Sequence, residues 1–267
     1  MTTMLKLSHV TKTFNKGTVT ETRALTGVNL ELVEGDFVTV IGGNGAGKST
    51  LLNMIAGVYP LDAGTIELDG TDVSRMTEPQ RAKFLGRVFQ DPMRGTAADM
   101  QIAENLALAK RRGQKRGLAW GISAEEKEEY PKLLATLGLG LETRMSAKVG
   151  LLSGGQRQAL TLLMATLTNP KLLLLDEHTA ALDPKTAKKV LDLTEQIVTE
   201  RGLTTLMITH NMNDAIRLGN RLIMMHEGNV IYDVRGEEKK NLTVPDLLQK
   251  FEEVSGGELA NDRMLLS

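Results

Sequence analysis

The chain has no cysteine, which excludes disulfides and thiolate metal sites and fits a reducing compartment. It also lacks a dominant charge. The 32 basic and 33 acidic residues give a formal net charge of −1, so no global field favours nucleic acid or an anionic membrane, and no nucleic-acid partner is expected. Long apolar runs are missing. Leu172 to Leu175 is among the longest and is far too short to span a bilayer, and residues 1–11 lack the basic segment and apolar core of a secretory signal. The expectation is a cytoplasmic chain unless something holds it at a membrane. Repeats, low-complexity tracts and long heptad stretches are absent too, which leaves 267 residues for one sizeable domain or a domain with an inserted lobe.

Against these absences stand three ordered motifs. Gly42-Gly43-Asn44-Gly45-Ala46-Gly47-Lys48-Ser49-Thr50 fits G-x-x-x-x-G-K-[ST], whose four fixed positions match by chance in roughly one such chain in a hundred. Downstream come Leu152-Ser153-Gly154-Gly155-Gln156 and then Leu172-Leu173-Leu174-Leu175-Asp176-Glu177. Their joint occurrence multiplies small chances and removes coincidence as a competitor.

The local pattern gives these motifs their setting. Leu5, Leu7 and Val10 to Phe14 read as a strand, and Ala24 to Val33 as a second one after a polar turn. Phe37 to Ile41 is a short apolar strand, and the glycine loop after it opens a helix from about Lys48 to Ala56. A helix placed there points its free amides back at the loop. Gly64 to Gly70 reads as a further strand, another ends at Val88-Phe89-Gln90, and Asp91-Pro92 breaks it. From 91 to 168 the pattern is helical, with Ile102, Asn105, Leu106 and Ala109 on one face and Leu133, Leu134 and Leu137 on another. Leu172 to Leu175, Thr204 to Thr209 and Leu222 to His226 are short apolar or β-branched runs, separated by helical patterns such as Ala187 to Arg201. Val244-Pro245 starts a short helix.

Strands alternating with helices imply an α/β fold with a mostly parallel sheet covered on both faces. The expected organisation is a single domain over 1–267. A phosphate-loop nucleotide-binding core with an N-terminal antiparallel β subdomain takes 1–90 and 169–267, and an inserted α-helical subdomain takes 91–168.

The chemistry follows from the residue types. Gly42, Gly45 and Gly47 let the backbone adopt unusual φ values and approach phosphates closely, so the loop from Gly42 through Asn44, Gly45, Ala46, Gly47, Lys48, Ser49 and Thr50 is expected to bind ATP. The Lys48 ammonium reaches the β and γ groups, and the Ser49 hydroxyl ligates Mg²⁺. Asp176, delivered by a buried strand to its carboxyl end, is the second anchor for Mg²⁺. Strand alternation turns Glu177 to the other side of the backbone, where it orients or deprotonates the attacking water. Ser153 caps a helix carrying Ala159, Leu160, Leu163 and Leu167. Gly154, Gly155 and Gln156 leave bare amides there, forming a second phosphate receiver that suits another copy's nucleotide.

On these motifs the chain resembles the ATP-binding subunit of the ABC transporter family over nearly its whole length. The resemblance implies a head-to-tail pair of copies, with the phosphate loop of one facing Ser153, Gly154, Gly155 and Gln156 of the other across ATP. It implies that Gln90 touches Mg²⁺ or the attacking water and senses a transmembrane partner, that His210 contacts the γ-phosphate, and that Asp183 lies at the dimer seam. Phe14 falls where the family stacks an aromatic on adenine; a core phenylalanine is the competing reading. His178 stands where many relatives have proline and reads as a spacer or as a hydrogen-bonding side chain near the site. Lys110 to Arg116, with Trp120 nearby, is a dense basic run, read as a solvated loop or as a contact for anionic headgroups.

The expected function is an ATP-hydrolysing subunit, peripheral on the inner face of the cell membrane, that drives a separate permease. The wording from Asp176 to Pro184 resembles importers fed by an extracytoplasmic solute-binding protein and implies an amino acid, aromatic ones included, as cargo. An exporter or lipoprotein-extracting system is the alternative. A non-transport ABC ATPase is disfavoured by the single phosphate loop and the missing cysteines and heptads, and a small GTPase by the missing Asn-Lys-x-Asp.

Overall fold

The computed structural model describes residues 2–114 and 121–255. In chain order it holds β1 (Thr3–Phe14), β2 (Thr22–Val33), β3 (Phe37–Ile41), α1 (Lys48–Ala56), β4 (Ala63–Leu68), β5 (Thr71–Asp72) and α2 (Glu78–Arg81). Next come β6 (Leu85–Val88), α3 (Ile102–Lys110), α4 (Ala124–Ala135), α5 (Gly154–Thr166), β7 (Leu172–Asp176) and α6 (Pro184–Arg201). The last elements are β8 (Thr205–Ile208), α7 (Met212–Arg217), β9 (Arg221–His226), β10 (Asn229–Arg235), α8 (Gly236–Lys240) and α9 (Val244–Ser255). The chain divides into two units, Met1–Arg81 with Gly202–Ser267, and Ala82–Arg201. Residues 91–168 lie within the second, together with β6, β7 and α6.

In the first unit β1 pairs antiparallel with β2 and with β4, and β5 extends the sheet in the order β2-β1-β4-β5. Asp69 and Gly70, both at positive φ, make the tight turn from β4 to β5, so the expected strand stops at Leu68. β3 lies parallel to both β8 and β9, and β10 returns antiparallel on β9. Every residue of β3 and of β8 is buried, which explains why both read as continuous apolar runs. α9 closes one face of this unit by packing Leu247 and Phe251 against Ile41, Met212 and Met224.

The far end of α1 is held by a cation. Gly57, at φ 82, ends the helix, and the buried Arg81 donates from Nη1 to the carbonyls of Met54 (2.8 Å) and Ile55 (2.9 Å). Its Nε donates to Met76 O at 3.0 Å and Nη2 to Ser74 O at 3.3 Å. Four carbonyls thus depend on one guanidinium, at the end of a helix where a positive charge is favoured. Arg81→Leu should lower the unfolding free energy by about 3 kcal/mol, because charge-assisted hydrogen bonds are lost and buried acceptors stay unpaired. Urea denaturation with an unchanged m-value is the measurement.

In the second unit β6 and β7 run parallel, and the core of the helical lobe gathers Ile102, Leu106, Tyr130, Leu134, Leu141 and Leu160. The stretch 91–168 is broken rather than continuously helical, with short 3-10 turns at Leu141–Thr143 and Val149–Leu151. Asn105, expected on an apolar face, is buried because its side chain accepts from Ala97 N and donates to Ala97 O and Gln101 O. Over its described part the basic run is a partly exposed turn whose charges are engaged by neighbouring groups of the lobe. Lys110 pairs with Glu129 at 2.5 Å, Arg111 with Glu126 at 2.9 Å, and Arg112 donates to Ala165 O and Thr168 Oγ1. Lys115, Arg116 and Trp120 lie outside the described residues.

Candidate active site

In the first unit the glycine loop leaves the carboxyl end of β3 and turns into α1. A β-carbon on Gly42 would stand 2.2 Å from Met225 O, and one on Gly47 2.5 Å from Ala24 O, and both glycines sit at positive φ. No other residue fits either position. Asn44 and Gly45 are exposed at the tip, and Ala46 is buried behind them, its carbonyl accepting from Gly228 N at 3.1 Å. The first turn of α1 has no side-chain cap and no acidic residue, so its opening amides suit an anion. Lys48 is buried and its ammonium donates to Gly42 O at 2.7 Å and Gly43 O at 3.0 Å, while Ser49 is exposed and Thr50 half-buried.

His210 belongs to the same end of the same unit. Ile208 lies opposite Val40 across the parallel β3–β8 pair, and Thr209 N donates to Val40 O at 3.2 Å, so the half-buried His210 stands one residue beyond, where the glycine loop begins. Phe14, at the end of β1, is half-buried and outside the core. Its ring meets Tyr59 edge-on at 5.1 Å, with Lys12 Nζ 5.6 Å from the ring centre.

In the second unit Val88 lies opposite Leu175, so Gln90 and Glu177, each two residues further, leave the β6–β7 pair at one end. Asp176 is half-buried as the last residue of β7, with Arg87 Nη2 at 3.8 Å. Glu177 has φ 45, so the alternation expected from an extended strand ends at Asp176 and a left-handed residue aims the glutamate instead. The exposed Gln90 follows Phe89, whose carbonyl accepts from the buried Gln158 of α5 at 3.3 Å.

Ser153 is the N-cap that the sequence implies. Its hydroxyl accepts from Gln156 N at 3.2 Å, and Gln156 Oε1 accepts from Ser153 N at 3.2 Å, completing a capping box. Gly155 has a packing reason as well, since a β-carbon there would lie 2.2 Å from Thr186 Cγ2, and one on Gly154 would lie 3.2 Å from Leu182 Cδ2. Asp183 precedes α6 and accepts from Thr186 N at 3.1 Å; its hydrogen bonds from the Thr186 side chain and backbone hold the carboxyl below the usual carboxylate range.

Sequence reasoning read His178 as a spacer or a hydrogen-bonding side chain and gave it no catalytic role; the structure shows the hydrogen bond. His178 is buried, and its Nε2 lies 3.0 Å from Thr194 Oγ1 on α6. Burial pushes its imidazole down from the ordinary 6.5 to about 4. The folded state therefore refuses a proton that the unfolded chain accepts, and stability falls as pH drops from about 6.5 towards about 4. The shift is worth about 3 kcal/mol, so His178→Gln should flatten that part of the stability profile, read by urea midpoints from pH 7 to pH 4.

The residues fit a nucleotide and its ion. In the first unit, uncapped helix amides beside a buried ammonium suit a polyphosphate and the Ser49 hydroxyl is an oxygen donor of the kind Mg²⁺ takes; in the second unit, taken by itself, the Asp176 carboxylate is a donor of the same kind. Among the described residues no group of three His, Cys, Asp or Glu could hold a metal ion.

Comparison with known proteins agrees with this chemistry. Residues 25–180 match the family model described as ABC transporter. A tyrosine transport ATP-binding protein of Clostridioides difficile (strain R20291) is 44% identical over 249 residues, 93% of this chain and 99% of the relative. A lipoprotein-releasing system ATP-binding protein, LolD 1, of Caulobacter vibrioides (strain ATCC 19089 / CIP 103742 / CB 15) is 35% identical over 88% of this chain and 97% of its own. A dimeric, post-hydrolysis structure of the ATP-binding cassette MJ0796 with ADP and Pi superposes with a TM-score of 0.74 at 32% identity, over 87% of this chain and 98% of that one. The chain belongs to the ABC transporter family, as one of its ATP-hydrolysing cassettes.

Proposed function

We propose that the chain energises import of an amino acid, with an aromatic one favoured, through a separate membrane permease. The observation that carries this reading is the 44% identity to a tyrosine transport ATP-binding protein over 99% of that protein's length. No helix among the described residues is long and apolar enough to cross a membrane, so the chain would reach the inner face of the cell membrane through its permease, with a solute-binding protein on the other side.

The proposed roles follow the motifs. The amides from Gly42 to Thr50, with Asn44, Gly45 and Ala46 at the tip, and the Lys48 ammonium hold the phosphates; Phe14 stacks on adenine. Ser49, Asp176 and Gln90 hold Mg²⁺, which supplies charge neutralisation on the phosphates. Glu177 takes a proton from the attacking water, and His210 steadies the γ-phosphate. A second copy offers Ser153, Gly154, Gly155 and Gln156 to the same nucleotide, with Asp183 at the seam. The dimeric cassette among the solved relatives supports that pairing.

The test is purification of tagged Glu177→Gln chain from gently solubilised membranes with ATP and Mg²⁺, followed by mass spectrometry. Recovery of a multi-span permease with a solute-binding protein is expected, and the binding protein is then assayed for aromatic amino acids. Recovery of a permease with a lipoprotein-processing partner would move the assignment to the second relative's class; ribosomal or DNA-associated proteins alone would overturn transport.

A further inference from the structure

We propose that His178 is a positioning residue for Glu177, acting through its hydrogen bond to Thr194. The inference rests on the reading of Glu177 as the base and adds a residue to that site.

Glu177 occupies the left-handed conformation, with φ at 45, which a residue with a β-carbon holds only where its surroundings favour it. On its carboxyl side the Glu177 carbonyl accepts from Ala180 N at 3.0 Å, and Thr179 O accepts from Leu182 N at 3.1 Å, so the chain turns twice before α6 begins. These backbone bonds shape the turn, and the buried His178 ties it further into α6. His178 is only 2% exposed, and its Nε2 lies 3.0 Å from the hydroxyl of Thr194, ten residues into α6 from Pro184.

The proton count on that hydroxyl fixes the direction of the bond. Thr194 Oγ1 has one hydrogen and lies 2.8 Å from Val190 O, which can only accept. The hydroxyl therefore accepts from His178, Nε2 carries the proton, and the tautomer is set. A neutral imidazole becomes a rigid peg from the residue next to Glu177 into a helix whose own backbone anchors the far end.

The experiment is a set of variants assayed for ATP hydrolysis in the chain co-purified with its membrane partner, alongside equilibrium ATP binding and thermal midpoints. His178→Ala and Thr194→Val are each expected to lower kcat about 10- to 100-fold, the scale of a misplaced catalytic group, while KM for ATP stays within about twofold. His178→Gln keeps an amide donor near Nε2 and Thr194→Ser keeps the acceptor, so both should recover most of kcat. The double variant should be no worse than the weaker single, as for two ends of one interaction. In a Glu177→Gln background His178→Ala should cause no further loss.

Wild-type kcat in His178→Ala, with Glu177→Gln inactive, overturns the proposal and leaves the base in place. A loss that His178→Gln and Thr194→Ser share in full, in step with ATP affinity and thermal midpoint, reduces the pair to packing and also overturns it. Normal hydrolysis by Glu177→Gln removes the base assignment itself, and this proposal with it. Where His178→Ala does not fold, the Thr194 variants and His178→Gln carry the same readout.

Discussion

Glu177→Gln binds ATP with the affinity of the unaltered chain and hydrolyses it about a thousandfold more slowly, within the range for loss of a general base. The two side chains have nearly the same volume, and glutamine tolerates the left-handed backbone at 177 no worse than glutamate, so the turn after β7 keeps its shape. What disappears is the basic oxygen. The glycine loop, with its uncapped helix amides and buried Lys48, lies in a stretch of chain that the substitution does not touch, so binding survives. Phosphate release measured beside equilibrium ATP titration separates the two effects. A second reading follows from the same variant. With hydrolysis blocked, the proposed ATP-bound pair should persist, and light scattering should show a dimer that forms with ATP and is absent without nucleotide. Hydrolysis within about tenfold of the unaltered chain would move the base elsewhere, with His210 the first candidate.

The parts of the fold that the sequence announced are those where one local force dominates. β3 and α1 coincide with the expected spans because an all-apolar strand, a glycine loop and an uncapped helix start leave no alternative. Ser153 was legible as a cap because a serine three residues before a glutamine is chemistry readable in one turn. Elements without such a force were missed. β10 buries only Val234 among seven residues and owes its form to pairing with β9, which periodicity cannot see. α7 is a six-residue helix, too short for an apolar stripe, whose one local signal is Asn211 accepting from Asp214 N at 3.0 Å.

The candidate site divides in the same way. The identity of its residues came from motifs, but their grouping came from register. Thr209 bonded to Val40 brings His210 to the mouth of the glycine loop, and Val88 opposite Leu175 brings Gln90 level with Glu177. His178 could not be read in advance, since Thr194 is 16 residues away and nothing in the intervening sequence marks it as a partner. The basic run misled for a related reason. Arg111 and Arg112 look like solvent-facing charges in sequence, yet Glu126 and the carbonyl of Ala165 take them into the lobe.

Lys48→Ala should lose ATP binding by at least about a hundredfold, close to 3 kcal/mol, and hydrolysis with it. The reason lies in how the loop is held before any nucleotide arrives. Lys48 is 5% exposed and its ammonium is bonded to Gly42 O and Gly43 O, so the charge proposed to meet phosphate also folds the loop back on itself. Alanine removes the attraction for phosphate and leaves two carbonyls without this donor. Arginine should not rescue it. A planar guanidinium with a fixed fork cannot act as the compact point charge that now meets both carbonyls. Calorimetric titration of Lys48→Ala and Lys48→Arg, each in the Glu177→Gln background so that nothing is hydrolysed, gives the affinity directly. Binding within about tenfold of the Glu177→Gln parent would mean that the helix amides alone hold the phosphates and that Lys48 is chiefly a brace for the loop. The two largest expected effects therefore pull apart what the motifs run together, since one variant keeps the nucleotide and loses the chemistry while the other loses the nucleotide itself.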